Sequence, residues 1–582
     1  MSALPPVSES ARVRIRVAAI AACLLVLSVL ILFLARPSLL PAGVGSAKVQ
    51  PIELVALAWV VFGCAVWLAR KAAVKIVTGL ILAGGIALQV AALAGPPQNS
   101  SDLYRYIWDG RVQAAGIDPY LYAPGAAGVA RLRNDLLWSP KVGKHIGYWD
   151  CVGTTSDRSD PADGLVTGCT KINRPSDPTV YPPVAEAYFT AIQLAAPADD
   201  SSTPVQAAAG VFAVLTTVLL LFGLRRMGKD PRLAALWAWC PTVALEAGQN
   251  GHVDVVGVAL TAAALLLLAT AQARKRKILG GVLLGLAIAT KVTPVLTVPG
   301  VVRRGWREIC AAAAATVAIV YVPHVIAVGS KIIGFFPGYL NQEGYSNGNG
   351  FSIIGLFVSG KAATAVAVVI LAAVAAAIVR FGDAGQPWRG GVLMTSAALA
   401  VCTPHFQWYA ILLVMLVALD GRPEWLAIAA GGYLSNSPHL YIHGLYLHNP
   451  RLVGYGGGAA VAITLALLRL VLTRRPLAVT LPFADRLPFG LRMPWAAAEA
   501  TAEAAVADTK PAALPAAADA TTADAALDTA GDAALDTEED AAALDTEEDA
   551  AEQPVLEPTA VLRPTITIGA GGRPDFTARN NH

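Results

Sequence analysis

A short polar stretch at residues 101–124 carries the side chains best suited to chemistry. It contains three aspartates and two arginines interleaved with five tyrosine or tryptophan residues, and it follows an apolar run at 73–93 that is long enough to cross a bilayer. Charged side chains are costly in hydrocarbon, whereas tyrosine and tryptophan favour the membrane surface because their rings are amphipathic. The stretch is therefore predicted to form a polar platform at a membrane surface.

Asp102 is the candidate catalytic residue of this platform. A carboxylate there could remove a proton from an acceptor hydroxyl, and the nearby Arg105 could pair with a departing lipid phosphate, which suits its planar guanidinium. In a helix Arg105 would share a face with Asp109 rather than with Asp102, so the acid and the arginine need not point the same way. Two alternatives stay open. Asp109 could present the acid from a turn, or Asp102 could begin a helix beside an interfacial ion pair.

A second polar cluster, EAGQNGHVD at residues 246–254, lies where two apolar segments meet. Polar groups at such a junction are expensive in a membrane and are functional by default. His252 and Asp254 could hold a sugar or a phosphate. Alternatively, Asn250 and Asp254 could cap backbone groups at the helix junction, and a single His-x-Asp offers too few ligands for a metal site.

Lys291 and a group of aromatic residues near position 405 complete the candidate set. Lys291 interrupts the apolar run at 278–302 and would need an anion there, either a protein carboxylate or a lipid phosphate, unless its chain extends to the cytoplasmic surface. His405, Trp408 and Tyr409 open another apolar segment, and an aromatic belt at the membrane surface would explain the last two.

Cysteine and histidine residues in the polar loops leave further alternatives. Cys151 and Cys169 lie in one long loop and could form a disulfide or remain free thiols. His439 and His443 could bind a metal, with His448 nearby, if they lay on one helical turn. Neighbouring prolines favour irregular structure, so no metal site is predicted.

The composition indicates an integral membrane protein with a separate acidic tail. Of the 582 residues, 55% are hydrophobic and only 15% are charged, whereas soluble domains carry about 25% charged residues. The formal charge of +3 combines +17 in residues 1–498 with −14 in residues 499–582. The tail is rich in Ala, Asp, Glu, Thr and Pro and contains AALDTEEDA twice. We therefore predict a disordered cytoplasmic tail at 495–582.

The apolar segments and their basic flanks predict an all-α polytopic membrane protein with both termini in the cytoplasm. A cytoplasmic N-terminus at 1–16 precedes about 12 transmembrane helices within residues 17–480, and a large extracytoplasmic loop with an interfacial helix occupies 94–204. The run at 278–302 has basic residues at both ends, so it is predicted to be a re-entrant hairpin broken at TKVTP. The predicted spans are 17–35, 52–68, 73–93, 205–224, 233–245, 255–271, 309–328, 362–379, 390–402, 408–419, 425–434 and 454–472.

The order of these motifs resembles that of a known enzyme family. DLYRYIWDGR, GIDPY and YPP, followed by GHVD, the TK break and HFQWY, are similar to landmarks of actinobacterial polytopic glycosyltransferases of the GT-C superfamily. That group includes polyprenyl-phosphomannose-dependent α-mannosyltransferases and related arabinofuranosyltransferases. The resemblance covers roughly residues 15–475, and the segment from Cys151 to Cys169 looks like an insertion that puts the acceptor specificity in doubt.

The resemblance implies inverting transfer of a sugar, expected to be mannose, on the extracytoplasmic face of the plasma membrane. The donor would be a polyprenyl-phosphate sugar and the acceptor a lipid-linked or cell-envelope glycan, with no metal or cofactor. Asp102 would be the general base, and the phosphate would be bound by Arg105, His252 and Lys291. Tyr181 and Trp408 would line the sugar or acceptor site. The remaining substrate-binding candidates are Tyr104, Asp109, Arg174, Asn250, Asp254, His405 and Tyr409.

Two other classes of protein stay open on the sequence. A secondary transporter or flippase of lipid-linked substrates would bind near the membrane midplane and often shows repeated halves, whereas here the charges cluster at one predicted face. A non-catalytic membrane scaffold would use the acidic tail to bind partners. The expected partners of the enzyme are the lipid-linked donor, the lipid-anchored or glycan acceptor and membrane lipids, with no nucleic acid.

Overall fold

The computed structural model describes residues 8–40, 52–98, 100–139, 142–145, 148–151, 169–197, 201–435, 440–442, 445–447 and 449–473. The acidic tail predicted at 495–582 and the three loop histidines, His439, His443 and His448, lie outside these residues, as do the side chains of Cys151 and Cys169. In the described part the chain is helical apart from three pairs of short antiparallel strands. The strands are β1 (Trp138–Ser139) with β4 (Cys169–Thr170), β2 (Val142–His145) with β3 (Tyr148–Cys151), and β5 (Leu440–Ile442) with β6 (Leu445–Leu447).

Eighteen α-helices follow one another along the described chain. They are α1 (Glu9–Ala35), α2 (Ile52–Ala69), α3 (Val74–Ala92), α4 (Asp102–Ala114), α5 (Pro183–Ala195), α6 (Thr203–Arg226), α7 (Ala235–Ala238), α8 (Pro241–Val243), α9 (Asp254–Ala269), α10 (Arg274–Ile288), α11 (Val298–Val301), α12 (Trp306–Val328), α13 (Phe336–Gln342), α14 (Lys361–Phe381), α15 (Pro387–Cys402), α16 (Ile411–Asp420), α17 (Leu426–Ser435) and α18 (Gly457–Thr473).

Within the described residues, seven helices are long and apolar enough to cross a membrane, which makes this a multi-pass membrane protein. The first begins earlier than predicted, because the Ser8 hydroxyl accepts a hydrogen bond from the Ala11 amide at 3.3 Å and caps α1. The predicted total of about 12 spans stays a prediction. The seven are α1, α2, α3, α6, the helical run Trp306–Gln342, α14 and the run Leu452–Leu472.

The predicted span at 233–245 is wrong as a single continuous helix. The chain forms a 3₁₀ turn at Pro231–Ala234, the short helices α7 and α8, and then a π-helical segment at Ala244–Gln249. Pro241 lacks an amide hydrogen and clashes with the preceding turn, so a regular helix cannot run through it. The π-helical end of this irregular segment places its polar residues inside the protein, where Glu246 and Gln249 are completely buried.

The chain reverses direction after α10, within the run predicted to be a re-entrant hairpin. Helix α10 ends at Ile288, and a 3₁₀ turn at Thr293–Thr297 and the short α11 bring the chain back. A Cβ atom placed on Gly305 would lie 3.0 Å from Cδ of Lys277 in the first turn of α10, so the two basic ends of the run meet. The broken backbone puts Lys291 at the turn. The depth of this hairpin in the membrane stays a prediction.

Helix α4, within the stretch predicted to form a platform, packs against α5; the position of this stretch at a membrane surface stays a prediction. The two helices approach closely at Gly110, where an added Cβ atom would lie 2.5 Å from the carbonyl oxygen of Phe189. The Tyr106 ring stacks on Phe189 with centroids 4.4 Å apart, and the Tyr181 ring meets the Tyr106 ring edge-on at 5.0 Å. Aromatic pairs in stacked and edge-on arrangements contribute more stability than the burial of their surface area alone would give. Helices α4 and α5 are therefore packed together along the middle of α4.

Candidate functional site

A cavity of about 360 Å³ lies beside the first turn of α4. Its walls come from α4, the segment 173–182, the break after α10, helix α13 and the segment before α16. Six of the predicted site residues line it: Asp102, Arg174, Tyr181, Lys291, Trp408 and Tyr409. The other lining residues are Ser100, Ser101, Asn173, Val180, Pro182, Val292, Thr293, Phe336, Tyr339, Gln342 and Phe406.

Asp102 presents its carboxylate at one wall of this cavity. Its Oδ1 accepts a hydrogen bond from Nδ2 of Asn173 at 2.5 Å, and its Oδ2 lies 3.9 Å from Nδ1 of His252. The Ser100 hydroxyl accepts a hydrogen bond from the Asp102 amide at 3.1 Å and so helps to fix the start of the helix. With 13% of its side chain exposed, Asp102 is held in place yet accessible to a molecule in the cavity.

His252 supports the cavity wall from behind and does not line the cavity. Its ring stacks on Trp408 with centroids 4.1 Å apart and an angle of 26° between the rings. Its Nε2 lies 3.5 Å from Oε2 of Glu246, and neither ring nitrogen donates to or accepts from a described group within hydrogen-bond distance. The His252 ring packs behind Trp408, which lines the cavity, and the phosphate contact predicted for His252 stays a prediction.

Asn250 belongs to a buried network around Glu246. The Glu246 carboxylate accepts hydrogen bonds from Asn250 at 3.0 Å, from Gln407 at 3.0 Å and from the Tyr433 hydroxyl at 2.9 Å. The Asn250 side chain also accepts a hydrogen bond from the Gln98 amide at 3.1 Å. A buried carboxylate needs such donors, because an unpaired one would be strongly destabilising. Asn250 therefore stabilises the buried Glu246 carboxylate and joins it to the segment at Gln98, and its predicted contact with substrate stays a prediction.

Lys291 reaches the cavity from the hairpin break and is paired with Asp254. The Lys291 Nζ lies 3.1 Å from Oδ2 of Asp254, which begins α9 and is 3% exposed. The ammonium also lies 5.2 Å from the ring centroid of Tyr181 and 5.9 Å from that of Tyr409. Aromatic faces attract cations at such distances. Of the two anions considered for Lys291, the structure shows the protein carboxylate, while the lysine still faces the cavity.

Arg174 provides a second cation at the cavity. Its backbone adopts a left-handed conformation with φ of 49°, which is uncommon for a residue other than glycine. Its Nε donates to Oε1 of Gln342 at 2.7 Å, and its guanidinium lies 5.6 Å from the Tyr339 ring centroid. The Tyr339 and Tyr409 hydroxyls are hydrogen-bonded to each other. Helix α13 thus covers the cavity and is joined to two of its walls.

Besides Asn250, His252 and Asp254, four more predicted substrate-binding residues do not line the cavity. Arg105 and Asp109 are paired with each other, and they are 4% and 2% exposed. Burial raises the pKa of Asp109, and the Arg105 guanidinium opposes that rise. Tyr104 packs beside Lys171, and burial raises the pKa of its phenol. His405 pairs through Nδ1 with Glu343 at 2.8 Å and is outside the cavity.

Sequence reasoning missed Asn173, Tyr339 and Gln342 as members of the site. Asn173 directly precedes Arg174 in the sequence, and Tyr339 and Gln342 lie in α13. Their contacts join residues far apart in the chain, so no local spacing signals them. Within the described residues, no three His, Cys, Asp or Glu side chains are grouped to hold a metal ion.

The comparison with protein families yields one match. The model described as Glycosyltransferase family 87 matches residues 179–404. The matched segment includes Tyr181, Glu246, Asp254 and Lys291, and it begins after Asp102. Neither the curated proteins nor the solved structures yield a match. Together with the apolar helices, the match supports a membrane glycosyltransferase.

Proposed function

We propose that this membrane glycosyltransferase transfers mannose from a polyprenyl-phosphate donor to a lipid-linked or cell-envelope glycan. The observation that supports this most directly is the composition of one cavity. It holds a carboxylate, Asp102, and two cations, Lys291 and Arg174, beside aromatic rings. A base for the acceptor, cations for a leaving phosphate and flat apolar surfaces for a sugar are what such a transfer needs.

In the proposed reaction, Asp102 accepts the proton of the acceptor hydroxyl. The acceptor oxygen forms a bond to the anomeric carbon of the donor, and the bond from that carbon to the phosphate oxygen breaks. The electron pair of the broken bond leaves with the polyprenyl phosphate. Attack from the opposite face of the sugar inverts the configuration at the anomeric carbon.

The charged residues of the cavity suit these two halves of the reaction. Lys291 and Arg174 would bind the phosphate and stabilise the charge that it gains as the bond breaks. Asn173, which donates to one oxygen of Asp102 at 2.5 Å, would orient the carboxylate toward the acceptor. The proposal uses no metal or cofactor, because the residues supply the base and the phosphate-binding groups.

The distribution of basic residues supports an extracytoplasmic position for the cavity. Helix α3 begins just after Lys71 and ends at Ala92, shortly before Asp102. Helix α6 ends at Arg225 and Arg226. Basic connections favour the cytoplasmic side of a membrane. The cavity lies at the other end of α3 and would therefore face the outside, in the plasma membrane.

Replacing Asp102 tests the proposal. The full chain, in membranes, would be supplied with radiolabelled polyprenyl-phosphomannose and, separately, with the corresponding arabinose donor. Asp102→Asn keeps the shape of the side chain and is expected to lower transfer by about 10²- to 10⁴-fold, because a general base contributes that much. The matched control is Asp230→Asn, which alters an aspartate paired with Arg232 outside the cavity.

The outcomes separate the parts of the proposal. Asp102→Asn with activity near that of the wild type would remove Asp102 from the base role. Transfer from the arabinose donor alone would show that the sugar is not mannose. A wild-type chain that transfers from neither donor would contradict the polyprenyl-phosphate proposal, and movement of intact donor across the membrane would favour the flippase alternative.

A further inference from the structure

Arg105 and Asp109 form a buried pair that holds a turn of the polypeptide backbone. The Nε of Arg105 donates to both oxygens of the Asp109 carboxylate, at 2.9 and 3.0 Å. The Nη1 of Arg105 donates to the carbonyl oxygens of Arg174 at 3.3 Å and of Asp177 at 3.1 Å. The pair thus connects α4 to a segment about 70 residues further along the chain. We call these two residues the clamp.

The turn held by the clamp carries two side chains of the cavity. Asn173 donates to Asp102, and Arg174 lines the cavity and bonds to Gln342. The Arg174 carbonyl accepts both from Arg105 and from the Asp177 amide, the latter at 3.1 Å. Because Arg174 has a left-handed backbone that few side chains favour, this conformation depends on its surroundings.

We propose that Arg105 is a positioning residue, which acts on the reaction through Asn173 and Arg174 rather than by touching the donor. Asp109 orients the guanidinium, and the guanidinium fixes the turn. The inference rests on the proposed function for its kinetic test. The rival interpretation is that Arg105 binds the donor directly, through its Nη2, which has no hydrogen-bond partner among the described groups.

The chain contains a matched control for this arrangement. Arg232 donates from Nε to both oxygens of Asp230, at 2.9 and 2.8 Å. Its Nη1 donates to the carbonyl oxygens of Arg70 and Ala72, at 2.8 and 2.9 Å. The bonding pattern is the same as that of the clamp, the pair is more exposed (25% and 38% against 5% and 2%), and none of these residues lines the cavity. Arg232→Gln therefore measures what losing such a pair does to the protein away from the site.

The first experiment measures kinetics with polyprenyl-phosphomannose on the purified full chain. Arg105→Gln is expected to lower kcat by about 10- to 100-fold, because a displacement of about 1 Å at a reacting group can cost that much. Arg105→Lys is expected to lose as much, since an ammonium cannot bond to Asp109 and to two carbonyl oxygens in the same fork. Arg232→Gln is expected to leave kcat unchanged.

Combining variants separates the two interpretations. If Arg105 acts through Asn173, the double variant Arg105→Gln/Asn173→Ala loses no more kcat than the worse single variant. Losses that multiply would overturn the proposal. An Arg105→Lys variant that keeps most of the activity would also overturn the proposal. A positive charge at position 105 would then be enough for turnover, as expected if this residue contacts the donor phosphate directly.

The second experiment needs no substrate, so it distinguishes failure of the clamp from failure of the proposed function. Hydrogen exchange measured by mass spectrometry would follow the peptide containing residues 172–178. Arg105→Gln and Asp109→Asn are expected to speed its exchange by about 10-fold or more, whereas Arg232→Gln leaves it unchanged. Exchange at the wild-type rate in both clamp variants would overturn the proposal whatever the enzyme transfers.

Discussion

Replacing Lys291 by methionine is expected to have two separable effects, one on stability and one on turnover. Removing the lysine leaves Asp254 buried without its partner, and breaking a buried ion pair from one side costs about 3–5 kcal/mol in the free energy of unfolding. Because 16% of the Lys291 side chain is exposed to the cavity, we expect the lower end of that range, about 3 kcal/mol. The methionine keeps most of the side-chain volume.

The effect on turnover follows from the proposed contact with the donor phosphate. A hydrogen bond to a charged group contributes about 1.5–3 kcal/mol, which corresponds to a loss of about 10- to 100-fold in kcat/KM. The double variant Lys291→Met/Asp254→Asn removes the unpaired charge as well. It should regain most of the lost stability and none of the lost activity.

Thermal unfolding in detergent and steady-state transfer assays would measure the two effects on the same preparations. Lys229→Met is the matched control, because Lys229 also lies over an aromatic ring, that of Trp388 at 4.2 Å, and donates to the Leu419 carbonyl oxygen. It should change stability and leave kcat/KM near the wild-type value. The reasoning is refuted if the double variant is as unstable as Lys291→Met, or if it recovers activity, since the lysine charge would then not bind the phosphate.

Two further predictions concern buried carboxylates. Burial raises the pKa of Glu186 well above its ordinary value of 4.5. The protonated Glu186 therefore contributes to the free energy of unfolding below pH 4.5, and this contribution is lost as the pH rises through the folded-state pKa. The melting temperature of the wild-type chain should fall as the pH rises above 4.5, and that of Glu186→Gln should fall less. The same dependence of melting temperature on pH in both proteins would contradict the prediction. Tyr433→Phe removes a donor to Glu246 and should cost about 2 kcal/mol, against about 1 kcal/mol for Tyr455→Phe, whose hydroxyl donates to a neutral carbonyl. Equal losses in thermal unfolding would refute the idea that Glu246 is the more demanding acceptor.

Features set by local spacing could be predicted from the sequence. Helical periodicity predicted that Arg105 would face Asp109 rather than Asp102, and the ion pair at 2.9 Å confirms it. Basic residues at both ends of one apolar run predicted a re-entrant hairpin; the chain does reverse after α10, since Gly305 lies close to Lys277, while the re-entrant position in a membrane stays a prediction. In both cases the signal lies within a few residues or within one segment.

Features set by tertiary packing could not be predicted in the same way. The sequence left open whether Lys291 meets a protein carboxylate, and only the packing of α9 against the hairpin supplies Asp254. Burial of Arg105 likewise depends on a distant turn that accepts its hydrogen bonds, so a phosphate contact was a reasonable expectation from residue type alone. The break at Pro241 was overlooked because the hydropathy of that segment resembles that of a continuous helix.

The walls of the cavity come from positions scattered over most of the described chain. The bond between Asn173 and Asp102 spans 71 residues, and the bond between Arg174 and Gln342 spans 168. During synthesis Asp102 is therefore made long before Trp408 and Tyr409, which line the same cavity. A nascent chain that stops short of Tyr409 carries Asp102 without the complete lining, so the cavity is finished only after most of the described chain has been made.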